Sequence, residues 1–371
     1  MMEVGDGIKK YVASRTASKF HASNKFIRGL NGCVACGKTV TCIQELHIRA
    51  VAQAPNNRNL RVTKFAIVRP TYKELITATL PTFRAWMPRK VCTVTMSPII
   101  NAKLRYKLKD GTYVHADFIF IAVDRAEDLE KIGSMEFTGV FLNEVRGAKF
   151  DTFVKFRERV GRYPSEAQGY TDTADYTAPR DEDGEISACT YKFVIMDTNP
   201  PPDDHWYYNL AEESKGPNSH EDIEDVEKLF DFFKYPSPLI YLNGKYEPNP
   251  RAENIKHIRG GYNYYLDMIP GNSLDYINVN ILGNYGTIRT GMPVYPEYND
   301  IIHCRPEVSY RKDLPICLGW DFGRTPACVF GQLSPDGQLR IIAELFAENL
   351  SVRQFARDIV MPFFNQHFDG M

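Results

Sequence analysis

The sequence predicts an α/β protein built on a mostly parallel sheet with crossover helices, and three observations carry that prediction. Apolar runs suited to buried strands recur at "KFAIVRP" (64–70), "ADFIFIAVDR" (116–125), "FTGVFLNEVRG" (137–147) and "YKFVIMDTNPP" (191–201). Segments of helical period alternate with them, the pattern of parallel strands joined by helices. Near the front, "KFIRGL" leads into Gly32-x-x-x-x-Gly37-Lys38-Thr39, a glycine-rich turn of the kind that joins a strand to a helix.

At 371 residues the chain is long enough for two domains with separate cores. It is 43% hydrophobic and 25% charged, with 45 Lys and Arg against 46 Asp and Glu. A protein holding nucleic acid by static charge neutralisation is normally basic, so any such contact here is local or transient. No run approaches the ~20 apolar residues of a membrane span, and the first residues lack the apolar core of a secretion signal. A cytoplasmic protein whose eight cysteines are reduced is the expectation.

The stretch "GCVACGKTVTC" (32–42) can be read in two ways. Cys33-x-x-Cys36 is half of a zinc site, but such a site needs four ligands. Cys92, Cys189, Cys304, Cys317 and Cys328 are isolated, and no pair of histidines has ligand spacing. The phosphate-loop reading asks for an apolar strand before the turn and a helix after it. Both are present: "KTVTCIQELHIRAVAQ" places Val40, Ile43, Leu46, His47 and Ala50 on one helical stripe. In that reading Gly32, Cys33, Val34, Ala35, Cys36, Gly37, Lys38 and Thr39 wrap a nucleotide. Their backbone N–H groups face phosphate oxygens, Lys38 reaches the β and γ phosphates, and Thr39 holds Mg2+. A thiol beside the cationic Lys38 and a helix start is also expected to be reactive, with bound nucleotide protecting Cys33 and Cys36 from alkylation.

A nucleotide hydrolase further needs a carboxylate at a strand end. The run Val140, Phe141, Leu142 ends in Asn143-Glu144, and Glu144 is the candidate base that positions water. The neutral Asn143 stands where a carboxylate would help to hold the metal, which leaves magnesium mainly to Thr39 and the phosphates. An Asn143→Asp change is therefore expected to be tolerated.

Taken in order, these blocks resemble the large terminase subunit, the genome-packaging motor of tailed bacteriophages. The resemblance runs through "GCVACGKT", "VRPTYKELITATLPTFRAWMP" (68–88), "AVDRAEDLEKIGSMEFTGVFLNEV" (122–145), "FRERVGRYPS" (156–165), "DTNPPPDDHWYY" (197–208), "GMPVYPEYND" (291–300) and "LGWDFGRTPACVFGQL" (318–333). It implies an ASCE-type P-loop NTPase sheet with a small lid subdomain, followed by the start of an RNase H-like nuclease. The ATPase domain is then 1–305, with the lid at about 202–290, and the nuclease part is 306–371. Glu144 takes the place of the family's catalytic glutamate, and Asn143 that of its more common metal-binding aspartate. Thr198 and Asn199 fall on the coupling motif that senses the γ-phosphate. An arginine donated to a neighbouring site in a ring is also implied, and among Arg125, Arg69 and Arg146 the position of Arg125 fits best.

Within the expected lid, Tyr262, Tyr264 and Tyr265 read as a core. The polar, turn-rich stretch 169–185 reads as a mobile loop insertion. Beyond Pro306, "PICLGWDFG", "ACVFGQL" and "LRIIAELFA" read as three antiparallel strands, with a turn at "SPDGQ" and a helix at "SVRQFARDIVMPFFNQHF". Asp321, placed mid-sheet after an apolar strand, is expected to be the first carboxylate of a two-metal site using Mg2+ or Mn2+. Glu344 and Glu348 are weaker candidates, and the nuclease is expected to be incomplete at Met371.

The resemblance implies ATP hydrolysis driving double-stranded DNA into a procapsid. Its partners are the portal protein, a terminase small subunit and further copies of the chain in a ring, in the host cytoplasm and away from membranes. A helicase-like DNA-stimulated ATPase and a degenerate nucleotide-binding protein without catalysis remain the alternatives.

Overall fold

The computed structural model describes residues 10–214, 229–287, 303–305, 308–323, 325–348 and 350–368. The block 291–300, the acidic stretch 219–228 and the expected boundary at Pro306 lie outside the described residues. The chain divides into two compact units, Met1–Arg289 and Thr290–Met371.

The apolar runs of the first unit become neighbouring strands of one sheet. In chain order these are β1 (Ile27–Asn31), β2 (Leu60–Arg69), β3 (Cys92–Thr95), β4 (Asn101–Lys107), β5 (Tyr113–Ala122), β6 (Gly139–Asn143), β7 (Phe193–Thr198) and β8 (Phe230–Lys234). Their spatial order is β3-β4-β5-β2-β6-β7-β1-β8. The six strands from β5 to β8 run parallel, and β3 and β4 add an antiparallel edge.

Both faces of the sheet are covered, which is why its strands are continuously apolar. Leu30, Phe65, Ile67, Phe141, Phe193 and Ile195 face the helix α2 (Lys38–Ala52), which contributes Cys42, Ile43, Leu46 and Ala50. The alternate residues Ala66, Val68, Val140, Leu142, Val194 and Met196 face Phe153, Phe156, Trp206 and Tyr207. Truncating a buried leucine such as Leu46 to alanine is worth about 2–5 kcal/mol in such a core.

A buried ionic cluster holds α2 against β1. The Glu45 carboxylate accepts from Arg28 Nη1 (2.5 Å), Arg49 Nε (2.6 Å) and His21 Nδ1 (2.6 Å), the last from the helix α1 (Arg15–Ala22). Burial pushes the Glu45 pKa up, but its bond from His21 and the Arg28 and Arg49 charges outweigh that and hold it at about 2. Arg28 is also sandwiched by the rings of Phe20 and Phe193, at 5.0 and 5.5 Å.

Two expectations for this unit change. The stretch 202–290 does not lie wholly outside the sheet. Helix Trp206–Glu212 buries Trp206, Tyr207 and Leu210 in the second core, and β8 pairs in parallel with β1. The separate segment thus follows Tyr235, with β9 (Leu239–Leu242) and β10 (Lys245–Pro248) as an antiparallel pair, then the helical turns Asn263–Leu266 and Leu274–Tyr276. Of its expected aromatic core, Tyr265 is buried, Tyr262 is half-buried and Tyr264 is exposed. The polar insertion is pinned rather than free: the Tyr170 and Tyr176 hydroxyls donate to the carbonyls of Ala54 and Pro55, just past α2.

The second unit has β11 (Cys317–Asp321), β12 (Ala327–Leu333) and β13 (Leu339–Phe346) as an antiparallel sheet of that order. The helical turns Val352–Phe355, Ala356–Val360 and Met361–Phe368 follow one another and close a small core of Cys328, Phe330, Phe355, Val360 and Phe368. Among the described residues, no helix is long and apolar enough to cross a membrane.

Candidate functional site

Three parallel strands, β1, β7 and β6, end side by side, and the chemistry-bearing residues of the first unit collect at those ends. In sheets of this kind ligands sit outside the carboxyl ends of the strands. The loop from Gly32 to Gly37 leaves β1 and feeds directly into α2. Its turn needs glycine at both ends. A Cβ on Gly32 would lie 2.8 Å from Tyr235 Cβ, and Gly37 has φ +99° with Asn254 Nδ2 only 2.9 Å from where its Cβ would be. Ala35 is also left-handed, at φ 57°. Gly37 offers no side chain to cap the start of α2, and a helix start of this kind suits an anion.

Neighbouring segments hold the loop in place. Asn254 Nδ2 donates to Cys36 O (2.6 Å), the Tyr265 hydroxyl to Val34 O (3.0 Å) and Val34 N to Asn280 O (2.9 Å). A cavity of about 480 Å3 opens beside it, lined by Ala35, Gly37, Thr41, Tyr11, Trp86 and Tyr235, among others.

Lys38 Nζ donates to Gly32 O (2.8 Å), Cys33 O (2.6 Å) and Asn199 Oδ1 (2.9 Å). Burial works against its charge, but the negative potential of Cys36, Glu144, Cys33 and Asp197 more than offsets it, so its pKa lies above the ordinary lysine value. Cys33 and Cys36 are buried free thiols, the second donating to the carbonyl of the first at 3.0 Å. Burial raises the Cys36 pKa, yet its bond with Cys33 and the nearby Lys38 bring it down to about 7, while Cys33 is pushed up. Among the described residues, no group of three or more His, Cys, Asp or Glu is arranged to hold a metal ion. Both cysteines pack in the hydrophobic core with Leu30, Ile43 and Tyr265. With exposures of 1% and 3%, they do not offer the accessible thiols that the sequence reading expected.

The acidic side of the site differs from the expectation. Asn143 Nδ2 donates to Asp197 Oδ1 (2.7 Å), while Asn143 Oδ1 accepts from Arg69 Nη1 (2.7 Å) and Thr79 Oγ1 (2.5 Å). This orientation is chemically fixed, because a guanidinium can only donate and a carboxylate can only accept. Asn143 thus turns N–H groups toward Thr39 and cannot offer a metal its oxygen there. The carboxylate comes from Asp197, which sequence reasoning missed. Asp197 Oδ2 accepts from Thr39 Oγ1 (2.7 Å), and its Oδ1 accepts from Asn143 and from Glu144 N (2.8 Å). A signal for it was present: along β7, Phe193, Ile195 and Asp197 share one face, that of α2.

Glu144 follows β6 with a left-handed backbone, φ 59° and ψ 61°, a strained conformation for a residue with a side chain. Its Oε1 accepts from Asn199 N (3.1 Å). Burial first, and then the nearby Asp197 charge, raise its pKa above the ordinary carboxylate range. Asn199 therefore touches both Lys38 and Glu144. Thr198 is buried, donating to Asn199 O (2.6 Å) and accepting from Arg146 N (3.1 Å). Arg69 is committed to Asn143, and Arg125 stands exposed at the start of helix Ala126–Ile132. A separate cleft of about 300 Å3 is lined by Arg125, Arg69 and Asn143, among others.

In the second unit Asp321 ends β11, an edge strand, and is exposed, accepting a bond from Gly323 N (3.2 Å). It is thus on an edge and exposed, not mid-sheet as expected. Glu344 pairs with Val329, two residues along from the Ala327 opposite Asp321, and is exposed like Glu348.

No protein-family model and no curated protein matches the chain. Among solved structures, the large terminase of the thermophilic bacteriophage D6E is similar over 96% of this chain and 74% of its own, at 12% identity and a TM-score of 0.48. The same protein in complex with ATP-gamma-S is similar over 95% and 74%, at 12% identity and a TM-score of 0.45. The ATPase domain of the Thermus phage P74-26 large terminase is similar over 74% of this chain and 95% of its own, at 11% identity and a TM-score of 0.40.

Proposed function

We propose that this chain is an ATP-hydrolysing motor subunit of the phage terminase type, which couples hydrolysis to translocation of double-stranded DNA into a procapsid. One observation carries the hydrolase part. The phosphate-loop residues Lys38 and Thr39, the carboxylates of Asp197 and Glu144, and Asn199 converge at the ends of three adjacent parallel strands. The motor part is supported by the ordered terminase-like blocks of the sequence.

In this reading the loop amides and the start of α2 bind the phosphates. Nucleotide displaces Lys38 Nζ from its present carbonyl partners toward phosphate oxygens. The 480 Å3 cavity beside the loop, with Tyr11, Trp86 and Tyr235 in its walls, takes the base. The donors at the site are a hydroxyl and a carboxylate, hard oxygen ligands that suit Mg2+. A bound Mg2+ supplies charge neutralisation at the phosphates. Glu144, its pKa raised, orients and deprotonates the attacking water. Asn199, bonded to both Lys38 and Glu144, is placed to register loss of the terminal phosphate, with Thr198 fixing its backbone.

Arg125, exposed, is the residue proposed to act on a neighbouring copy in a ring. The portal protein, a small subunit and the host cytoplasm complete the proposal. The second unit is proposed as part of an RNase H-like domain in which Asp321 takes Mg2+ or Mn2+.

The test is ATP turnover with and without DNA. Lys38→Ala should abolish binding and turnover, and Glu144→Gln should keep nucleotide binding while slowing turnover by about 10²–10⁴-fold. Turnover in the parent no faster than in both variants would refute hydrolysis.

A further inference from the structure

We infer that Asp197, on β7, is the carboxylate that anchors the metal's water shell at this site, in place of a residue on β6. The inference rests on the proposed nucleotide site and adds the residue that carries its metal. Three observations converge on it. Asp197 is 1% exposed, yet its two oxygens accept from Thr39 Oγ1, Asn143 Nδ2 and Glu144 N at 2.7–2.8 Å. This buried carboxylate, its burial offset by those bonds and by the nearby Lys38 charge, stands beside the one hydroxyl of the phosphate loop. Asn143, its register partner on β6, presents N–H rather than oxygen on that side. Finally, β7 lies between β1 and β6, and Asp197 Oδ2 is 2.7 Å from Thr39 Oγ1 where Asn143 Nδ2 is 3.4 Å away.

This arrangement also explains why Asn143 is neutral. A second carboxylate there would face Asp197 directly. With an amide the pair shares one negative charge and a bond, and Arg69 and Thr79 fix the amide's other end. Asn143 is in this sense a positioning residue for Asp197.

The experiment titrates Mn2+ by the electron paramagnetic resonance of the free ion, in the presence of ADP. The parent is compared with Asp197→Asn and with the exchange Asn143→Asp plus Asp197→Asn. ADP binding in EDTA, read by calorimetry, reports the metal-free site. Asp197→Asn should weaken Mn2+ binding by about 10–100-fold, with ADP binding in EDTA within about threefold of the parent. The exchange, which moves the carboxylate to β6, should regain at least about tenfold of that loss.

Unchanged Mn2+ affinity in Asp197→Asn would overturn the inference and leave the nucleotide site standing. Failure of the parent to bind ADP would sink the nucleotide site, and the inference with it. If Asp197→Asn loses ADP binding even in EDTA, the exchange decides: recovered Mn2+ binding supports the inference and its absence overturns it.

Discussion

Replacing Asn143 by aspartate looks from the sequence like restoration of a missing metal ligand, and from the structure like a clash. The amide nitrogen lost lies 2.7 Å from Asp197 Oδ1. At an effective dielectric of about 20, two unit charges at that separation repel by roughly 6 kcal/mol. Holding one ordinary carboxyl protonated at pH 7 costs less, about 4 kcal/mol for a pKa near 4. The folded variant therefore takes up a proton, and the protonated carboxyl again donates to Asp197. The sign follows. Between about pH 4 and pH 8 the folded variant binds one more proton than the unfolded chain, so its stability falls as pH rises, by about 1.4 kcal/mol per unit. Relative to the parent, it should be less stable by up to about 4 kcal/mol at pH 7 and by up to about 1–2 kcal/mol at pH 5, the Arg69 guanidinium on the other oxygen offsetting part of the repulsion. Urea denaturation in EDTA at pH 5, 6, 7 and 8 measures this directly. A variant as stable as the parent at pH 7, or a deficit that does not grow with pH, would refute the assignment of the amide orientation and of the carboxylate facing it.

Glu45→Gln removes the one anion that Arg28 and Arg49 share in the core, and should cost about 3–5 kcal/mol in urea melts at pH 7. The Glu45 pKa is lowered to about 2 from 4.5, so its contribution is complete above pH 4.5 and is lost as pH falls toward 2. The deficit of the variant should shrink accordingly, and equal stability at pH 7 would show the cluster to be neutral. In thiol labelling of the native protein, the exposed Cys304 and Cys317 should react at least about tenfold faster than the buried Cys33, Cys36 and Cys42, with or without ATP. Rapid labelling of Cys36 that ATP suppresses would contradict the packing described for the loop.

Much of the framework was legible in the residues themselves, because it rests on local physics. Short continuous apolar runs bounded by turn residues fit strands buried on both faces, and Gly32 and Gly37 bracket a turn whose geometry excludes side chains. Lys38 and Thr39 were found through the glycine spacing, Glu144 through its place at a strand end and Asn199 through the terminase resemblance, and the structure brings them together. What the chain could not disclose locally was strand order. Only the placement of β7 between β1 and β6 brings Asp197 against Thr39, and it turns Asn143 from a deficient ligand into the partner of a carboxylate 54 residues away. In the same way β8 had no sequence signal of its own for joining the sheet, since pairing beside β1 is decided by backbone hydrogen bonding across long separations. Asp321 shows the converse. An apolar strand before an aspartate suggests burial, but burial depends on what packs over the sheet, and that is a property of the assembled fold.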